Sequence, residues 1–144
     1  MKTFSITKQI IIKASPEKVF ATLTSSDEIP KYYPLNEVIS SWQVGDSVHY
    51  KGEISGQAFT DYGVITELKH PEVYSYRYWS DNHGTENIPD NHLTINYTLL
   101  LVNGTTQLTL VQDNIKSEEM FNVMNTVVWD MLLNGLKEYL ESGL

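Results

Sequence analysis

The stretch Ser117–Gly143 reads S-E-E-M-F-N-V-M-N-T-V-V-W-D-M-L-L-N-G-L-K-E-Y-L-E-S-G. Ser117 is a helix cap, and Glu118 and Glu119 place negative charge in the first turn, where the helix dipole favours it. Gly143 is a left-handed C-terminal stop. No proline intervenes, so the predicted helix runs about 25 residues, or roughly 38 Å at 1.5 Å per residue. Apolar positions recur at helical spacing: Phe121, Met124, Val128, Met131 or Leu132, then Gly135 and Tyr139, flanked by Val127, Leu136 and Leu140. Asn122, Asp130, Lys137 and Glu141 occupy the other side. A glycine inside the stripe costs about 1 kcal/mol against alanine, so Gly135 predicts the close approach of another backbone. The plainer interpretation is an amphipathic helix packed on a sheet. A sharper one notes Met120, Met124 and Met131 in its first half: thioethers adapt to irregular shapes, and that half then lines a cavity.

Upstream of this helix the pattern is strands and turns. Thr106 to Ile115 is the last strand, joined through the hairpin signal Asn103-Gly104 to His92–Val102. Ser80 to Asn91 is a polar loop, long for a compact domain and therefore a candidate for function. Val73 to Trp79 places Tyr74, Tyr76 and Tyr78 in register. Ala58 to Leu68, before the turn His70-Pro71-Glu72, reads with Tyr62, Val64 and Leu68 on one face. Ser47 to Ile54 alternates, with Val48, Tyr50, Gly52 and Ile54 pointing one way, and Val38 to Trp42 is a short strand before it. At the start, Phe4–Ile12 is a β-branched strand. Ser15-Pro16-Glu17-Lys18 then opens a short helix with Val19, Phe20 and Leu23 on its buried face. A second short helix follows, ended by Pro30 and Pro34, and Lys31-Tyr32-Tyr33-Pro34 seals one end of the molecule.

The order β-α-α-β-β-β-β-β-β-α has no crossover helix between its later strands, which predicts an antiparallel sheet. One face of that sheet must be buried, and the last helix is the only long apolar partner. The expected class is α+β: a curved antiparallel sheet of about six or seven strands around the C-terminal helix, with two short helices after strand 1. At 144 residues the chain reads as a single domain, 1–144. It has no cysteine, which excludes disulfides and thiolate chemistry. A formal charge of −8 argues against nucleic acid and against an anionic membrane surface. No leader and no long apolar run is evident, so a soluble, cytoplasmic protein is expected.

The titratable residues show no catalytic or metal-binding signature. His49, His70, His83 and His92 lack metal spacing and read as surface histidines, and no metal or cofactor is expected. No phosphate-binding or nucleophile-elbow motif occurs. Asp113, at the end of the last strand, reads as a turn acid. The aromatic set is more informative. Trp42, Tyr50, Tyr62, Tyr74, Tyr76, Tyr78 and Tyr97 fall on strands, many on the face assigned inward. A filled core prefers Leu, Ile and Val, whereas a cavity wall uses both the ring and the hydroxyl of tyrosine. The alternative is tyrosines at the sheet edge with wet hydroxyls. Gln112 shares the parity of Leu108 and Leu110, which puts an amide on the same wall.

Taken together these stretches resemble the SRPBCC or START-like superfamily, the helix-grip fold. Within it the chain is most similar to the activator of Hsp90 ATPase homologue (AHSA1-like) family. The likeness rests on Ala14–Phe20, Gly45-Asp46, Tyr62–Leu68 running into His70-Pro71-Glu72, Thr106–Leu110, and Trp129–Glu141. Where many relatives carry a tryptophan before the proline after the second helix, this chain has Tyr32-Tyr33-Pro34, and a single Gly45 stands where a glycine pair is common. The resemblance implies a hydrophobic cavity between sheet and helix that binds a small hydrophobic ligand. The expected wall comprises Tyr50, Tyr62, Tyr76, Tyr78, Tyr97, Gln112, Met120, Met124 and Val128. It also implies two alternatives. One is an enzyme of the START-like cyclase or hydrolase type, with Tyr76, Asp113 or a histidine near His83 as acid–base groups. A sharply shifted inward acid would favour this enzyme. The other is a chaperone-associated interaction protein, presenting an outer apolar patch such as Tyr32-Tyr33 and Trp79. The resemblance also implies a further chaperone-binding domain in that family's eukaryotic members, which is not expected for this chain. An open sheet also leaves edge strands able to pair with a second copy, so a homodimer is an option.

Overall fold

The computed structural model describes residues 2–142, so the stop expected at Gly143 lies outside the described residues. Seven strands form one antiparallel sheet in the order β1-β7-β6-β5-β4-β3-β2. They are β1 (Phe4–Ile12), β2 (Glu37–Ser40), β3 (Ser47–Ile54), β4 (Gln57–Lys69), β5 (Val73–Ser80), β6 (Leu93–Val102) and β7 (Thr105–Ile115). Helix α1 (Pro16–Leu23) follows β1. The chain ends in α2 (Glu118–Val123), a π-helical turn over Met124–Val128 and α3 (Trp129–Ser142).

Local chemistry accounts for the boundaries. The Ser15 hydroxyl accepts from the Lys18 amide at 3.2 Å, with Pro16 where no helical N–H is needed. The Ser117 hydroxyl does the same for the Met120 amide at 3.1 Å. The β6–β7 hairpin turns on Asn103 (φ 50°) and Gly104 (φ 79°), the two positive-φ residues that a twist-matched two-residue turn demands. The expected second short helix is a 3-10 turn, Ile29–Lys31, with Pro30 inside it. Pro30 sits at its start, where a missing N–H costs nothing, and so opens the turn it was expected to close.

Burial alternates along the central strands. Leu93, Ile95, Tyr97 and Leu99 of β6, and Thr106, Leu108, Leu110 and Gln112 of β7, face the helix. Trp129, Leu133, Leu136 and Leu140 of α3 pack against them. Burying each such side chain is worth about 1.5–3 kcal/mol.

Two local irregularities redirect side chains. Within the C-terminal helix the Trp129 amide donates to Met124 O, five residues back, which inserts one residue into the helical count. Met124 and Val128 stay on the stripe read from the sequence, but beyond the π turn the buried face moves one residue on, to Trp129, Leu133, Leu136 and Leu140. Met131 and Val127 are exposed as a result. The second irregularity is a β-bulge in β4: Ile65 pairs with Tyr76, but Glu67 pairs with Ser75, leaving Thr66 as the extra residue. Leu68 therefore faces inward, as expected, while Tyr62 and Val64 do not share its face. Phe59, Asp61, Gly63 and Ile65 take the inner side instead.

Gly135 behaves as anticipated. A Cβ there would lie 3.0 Å from the backbone oxygen of Tyr32, so the segment after the 3-10 turn crosses the helix at van der Waals contact.

Candidate functional site

Between the inner face of the sheet and the first half of the C-terminal helix lies a cavity of about 350 Å³. Tyr50, Tyr74, Tyr76, Tyr78 and Tyr97 supply its sheet wall, and Met120, Met124, Val128 and Leu132 its helix wall. Leu23, Ile29, Tyr32, Tyr33 and Leu35 close one end. Glu53, Ile54, Asn82 and Met131 also line it and are exposed, which marks the mouth.

The tyrosine hydroxyls are largely satisfied within the protein. Tyr50 and Tyr74 share a hydrogen bond at 2.6 Å, and Tyr33 and Tyr97 share one at 3.1 Å. Tyr78 OH accepts from Gln112 Nε2 at 3.0 Å, while Gln112 Oε1 accepts from the Trp129 indole at 2.7 Å. Tyr76 is the exception: no side-chain hydrogen bond among the described residues engages its hydroxyl, which borders the cavity. The rings stand close together, with Tyr76 centroids 5.2 Å from Tyr74, 5.4 Å from Tyr50 and 5.9 Å from Tyr78. Burial holds the phenols of Tyr50, Tyr74, Tyr76 and Tyr97 well above the ordinary tyrosine range, so they act as neutral donors and acceptors.

One carboxyl sits among these rings. Asp61 lies directly opposite Tyr50 on β3 and opposite Ser80 on β5. Burial pushes its carboxyl up to about 6; a hydrogen bond from Ser80 opposes the rise, and the charge of Asp81 adds to it. The Ser80 hydroxyl has one proton and two acceptors for it, since Asn82 Oδ1 stands 2.6 Å away. His83 also lines the cavity, with its ring edge-on to Tyr78 at 5.8 Å, and burial lowers its pKa.

Of the expected wall residues, Tyr50, Tyr76, Tyr78, Tyr97, Met120, Met124 and Val128 lie on the cavity. Two do not. Tyr62 is on the outer face, stacked on Trp79 and edge-on to His49, because the β4 bulge reverses the parity counted back from Leu68. Gln112 points inward but stands behind the wall, fully buried and bonded to Tyr78 and Trp129. Asp113, an acid–base candidate, is exposed on the opposite parity of β7. His83, expected at the surface, is turned inward from the loop after β5. The aromatic pair Tyr32-Tyr33, expected as an outer patch, faces the cavity, with Tyr32 OH donating to Thr22 O at 2.9 Å. Asp61, Phe59 and Tyr74 had no place in the expected wall. Cross-strand pairing of Asp61 with Tyr50 was the signal that could have found the first.

A long helix held in a curved antiparallel sheet, with a cavity between them, defines the helix-grip proteins of the START-like superfamily. The model of the family described as activator of Hsp90 ATPase homolog 1-like protein matches residues 13–141, and the chain belongs to that family. The solution structure of ChR145 from Cytophaga hutchinsonii is 28% identical, with 99% of this chain and 98% of that one covered at a TM-score of 0.83. The Aha1 dimer from Colwellia psychrerythraea, also a solution structure, is 25% identical, with coverage of 97% and 98% and a TM-score of 0.77. A START superfamily protein from Mycobacterium smegmatis shares the fold at 13% identity, with coverage of 97% and 99% and a TM-score of 0.77. No curated protein matches the chain in sequence. No helix among the described residues is long and apolar enough to cross a membrane.

Proposed function

We propose that this protein binds a small, mostly apolar ligand in the cavity between the sheet and the C-terminal helix. The observation that supports this is the cavity itself: about 350 Å³, walled by tyrosine rings and methionines, with the free Tyr76 hydroxyl on its surface. Volumes of this order suit a small organic molecule, and a few polar groups on an apolar wall orient one. Tyr50, Tyr76, Tyr78, Tyr97, Met120, Met124 and Val128 make the contacts. Native mass spectrometry of protein purified from its own host, followed by organic extraction, tests the proposal. A reproducible apolar adduct lost on denaturation is the expected result. A cavity that takes up no hydrophobic probe at saturating concentration refutes it.

Asp61 favours a second reading, an enzyme acting on a hydrophobic substrate. A carboxyl raised to about 6 exchanges protons near neutrality, as a general base or acid must. Turnover of a hydrophobic ester or ketone panel would then rise with pH through a limb near that value, and Asp61→Asn would remove the limb. A flat profile disposes of this reading.

The unpaired edges β1 and β2 of the open sheet support a homodimer like that of the Colwellia relative. Light scattering at two protein concentrations tests it, and a monomer mass at both excludes it.

A further inference from the structure

Resting on the ligand-binding reading above, we propose that the cavity selects ligands carrying a protonated amine, held between the Asp61 carboxylate and the rings of Tyr50, Tyr76 and Tyr78. Three observations converge on it. First, the lining contains no lysine or arginine, and Asp61 takes part in none of the ion pairs among the described residues. Asp61 is half-buried, and a carboxylate partly withdrawn from water without a cation carries a cost. The other carboxyl on the lining, Glu53, is exposed at the mouth.

Second, the surroundings of Asp61 offer it little compensation. It faces Tyr50 from β3 and Tyr76, Tyr78 and Ser80 from β5, with Asp81, Asn82 and His83 beyond the end of β5. Its one hydroxyl donor, Ser80, is shared with Asn82 Oδ1. The helix side of the cavity presents Met120, Met124, Val128, Met131 and Leu132, none of them charged.

Third, the tyrosine rings form a box. Tyr76 lies within 6 Å, centroid to centroid, of both Tyr50 and Tyr78, at 5.4 and 5.9 Å. Ring faces attract cations, and an ammonium between aromatic walls with a carboxylate behind it is a recurring mode of amine recognition. The free Tyr76 hydroxyl can accept a further N–H. An alcohol or amide headgroup would leave the carboxylate charge uncompensated, whereas an ammonium neutralises it. The raised proton affinity of Asp61 follows from the same shortage: without a bound cation, a proton takes its place.

The test compares n-octylamine with n-octanol, which share one chain and differ in the headgroup. Binding is measured by calorimetry at near-physiological ionic strength, where long-range attraction from the net charge is screened. Wild-type protein is expected to bind the amine at least about tenfold more tightly than the alcohol, an effect of the size a single desolvated cation–aromatic and carboxylate site supplies. In Asp61→Asn the ratio of the two affinities falls toward unity. This variant removes one of 18 acidic residues, so non-specific attraction of the amine barely changes. In wild type the preference also fades below about pH 6, as Asp61 takes up its proton, a readout that does not depend on the variant folding. Octanol binding with no preference for the amine overturns this inference and leaves the cavity reading standing. An amine preference equal in wild type and Asp61→Asn assigns it to the surface and also overturns the inference. If neither probe binds, the cavity reading falls, and this inference with it.

Discussion

Replacing Asp61 by asparagine should change how stability depends on pH. The carboxyl titrates at about 6 in the folded protein and at 3.8 as its ordinary value, because burial penalises the charged form. Between those values the folded state holds the proton and the unfolded state has lost it. Stability therefore falls as pH rises through this window, with slope set by the difference in bound protons. A shift of this size corresponds to about 3 kcal/mol in full, and to about 2.5 kcal/mol over the accessible interval from about pH 4 to about pH 7. Asparagine has the same shape and no charge, so Asp61→Asn should gain about that much on wild type as pH rises over the interval. Urea denaturation followed by circular dichroism, at half-unit pH steps, measures the difference directly. The difference cancels groups present in both proteins, including His83 and His92, whose pKa values burial lowers. A difference that is flat with pH would show that Asp61 is solvated in the folded state, and would refute the argument for a half-buried, uncompensated carboxyl.

Gln112→Leu should destabilise the protein by about 2–4 kcal/mol, because it strands the buried Trp129 indole N–H and removes the donor to Tyr78 OH; an equilibrium urea midpoint unchanged from wild type would contradict this. Gly135→Ala should destabilise by about 1–2 kcal/mol despite a helix-propensity gain of about 1 kcal/mol, since the new methyl meets the Tyr32 backbone oxygen at 3.0 Å. A stabilised variant would mean that the segment at Tyr32 yields. Met124→Trp should fill the cavity and weaken n-octanol binding at least about tenfold while leaving the helical circular dichroism signal intact; undiminished binding would place the ligand elsewhere.

Much of this architecture was legible because its signals are local. Ser15-Pro16 and Ser117 cap helices through hydroxyls that reach amides three residues away. Asn103-Gly104 makes its turn with the two residues that best tolerate positive φ. Period-2 alternation identifies β3, β5, β6 and β7 and the inward face of each, and with them Tyr50, Tyr76, Tyr78 and Tyr97. The likeness to helix-grip proteins rests on such pieces in their order, and it held for the fold.

What the sequence left undecided comes from single inserted residues. Strand parity has a period of two, so one extra residue at Thr66 reverses every side chain before it. Leu68 faces inward either way, and nothing in Thr66-Glu67 announces the bulge. The bulge leaves β4 paired with β5 on both sides of Thr66. That one-residue shift turns Tyr62 out to His49 and Trp79 and Asp61 in toward the tyrosines. The π turn acts in the same way on the helix. The extra residue lets Met124 and Val128 remain on the cavity while Trp129 rotates inward to reach Gln112, a partner 17 residues away in the chain. Composition and periodicity therefore determined which segments are strands and helices and which faces are apolar. That Asp61 faces the cavity was decided by long-range pairing and packing, because the free energy of a bulge or a π turn lies in contacts that local sequence does not contain.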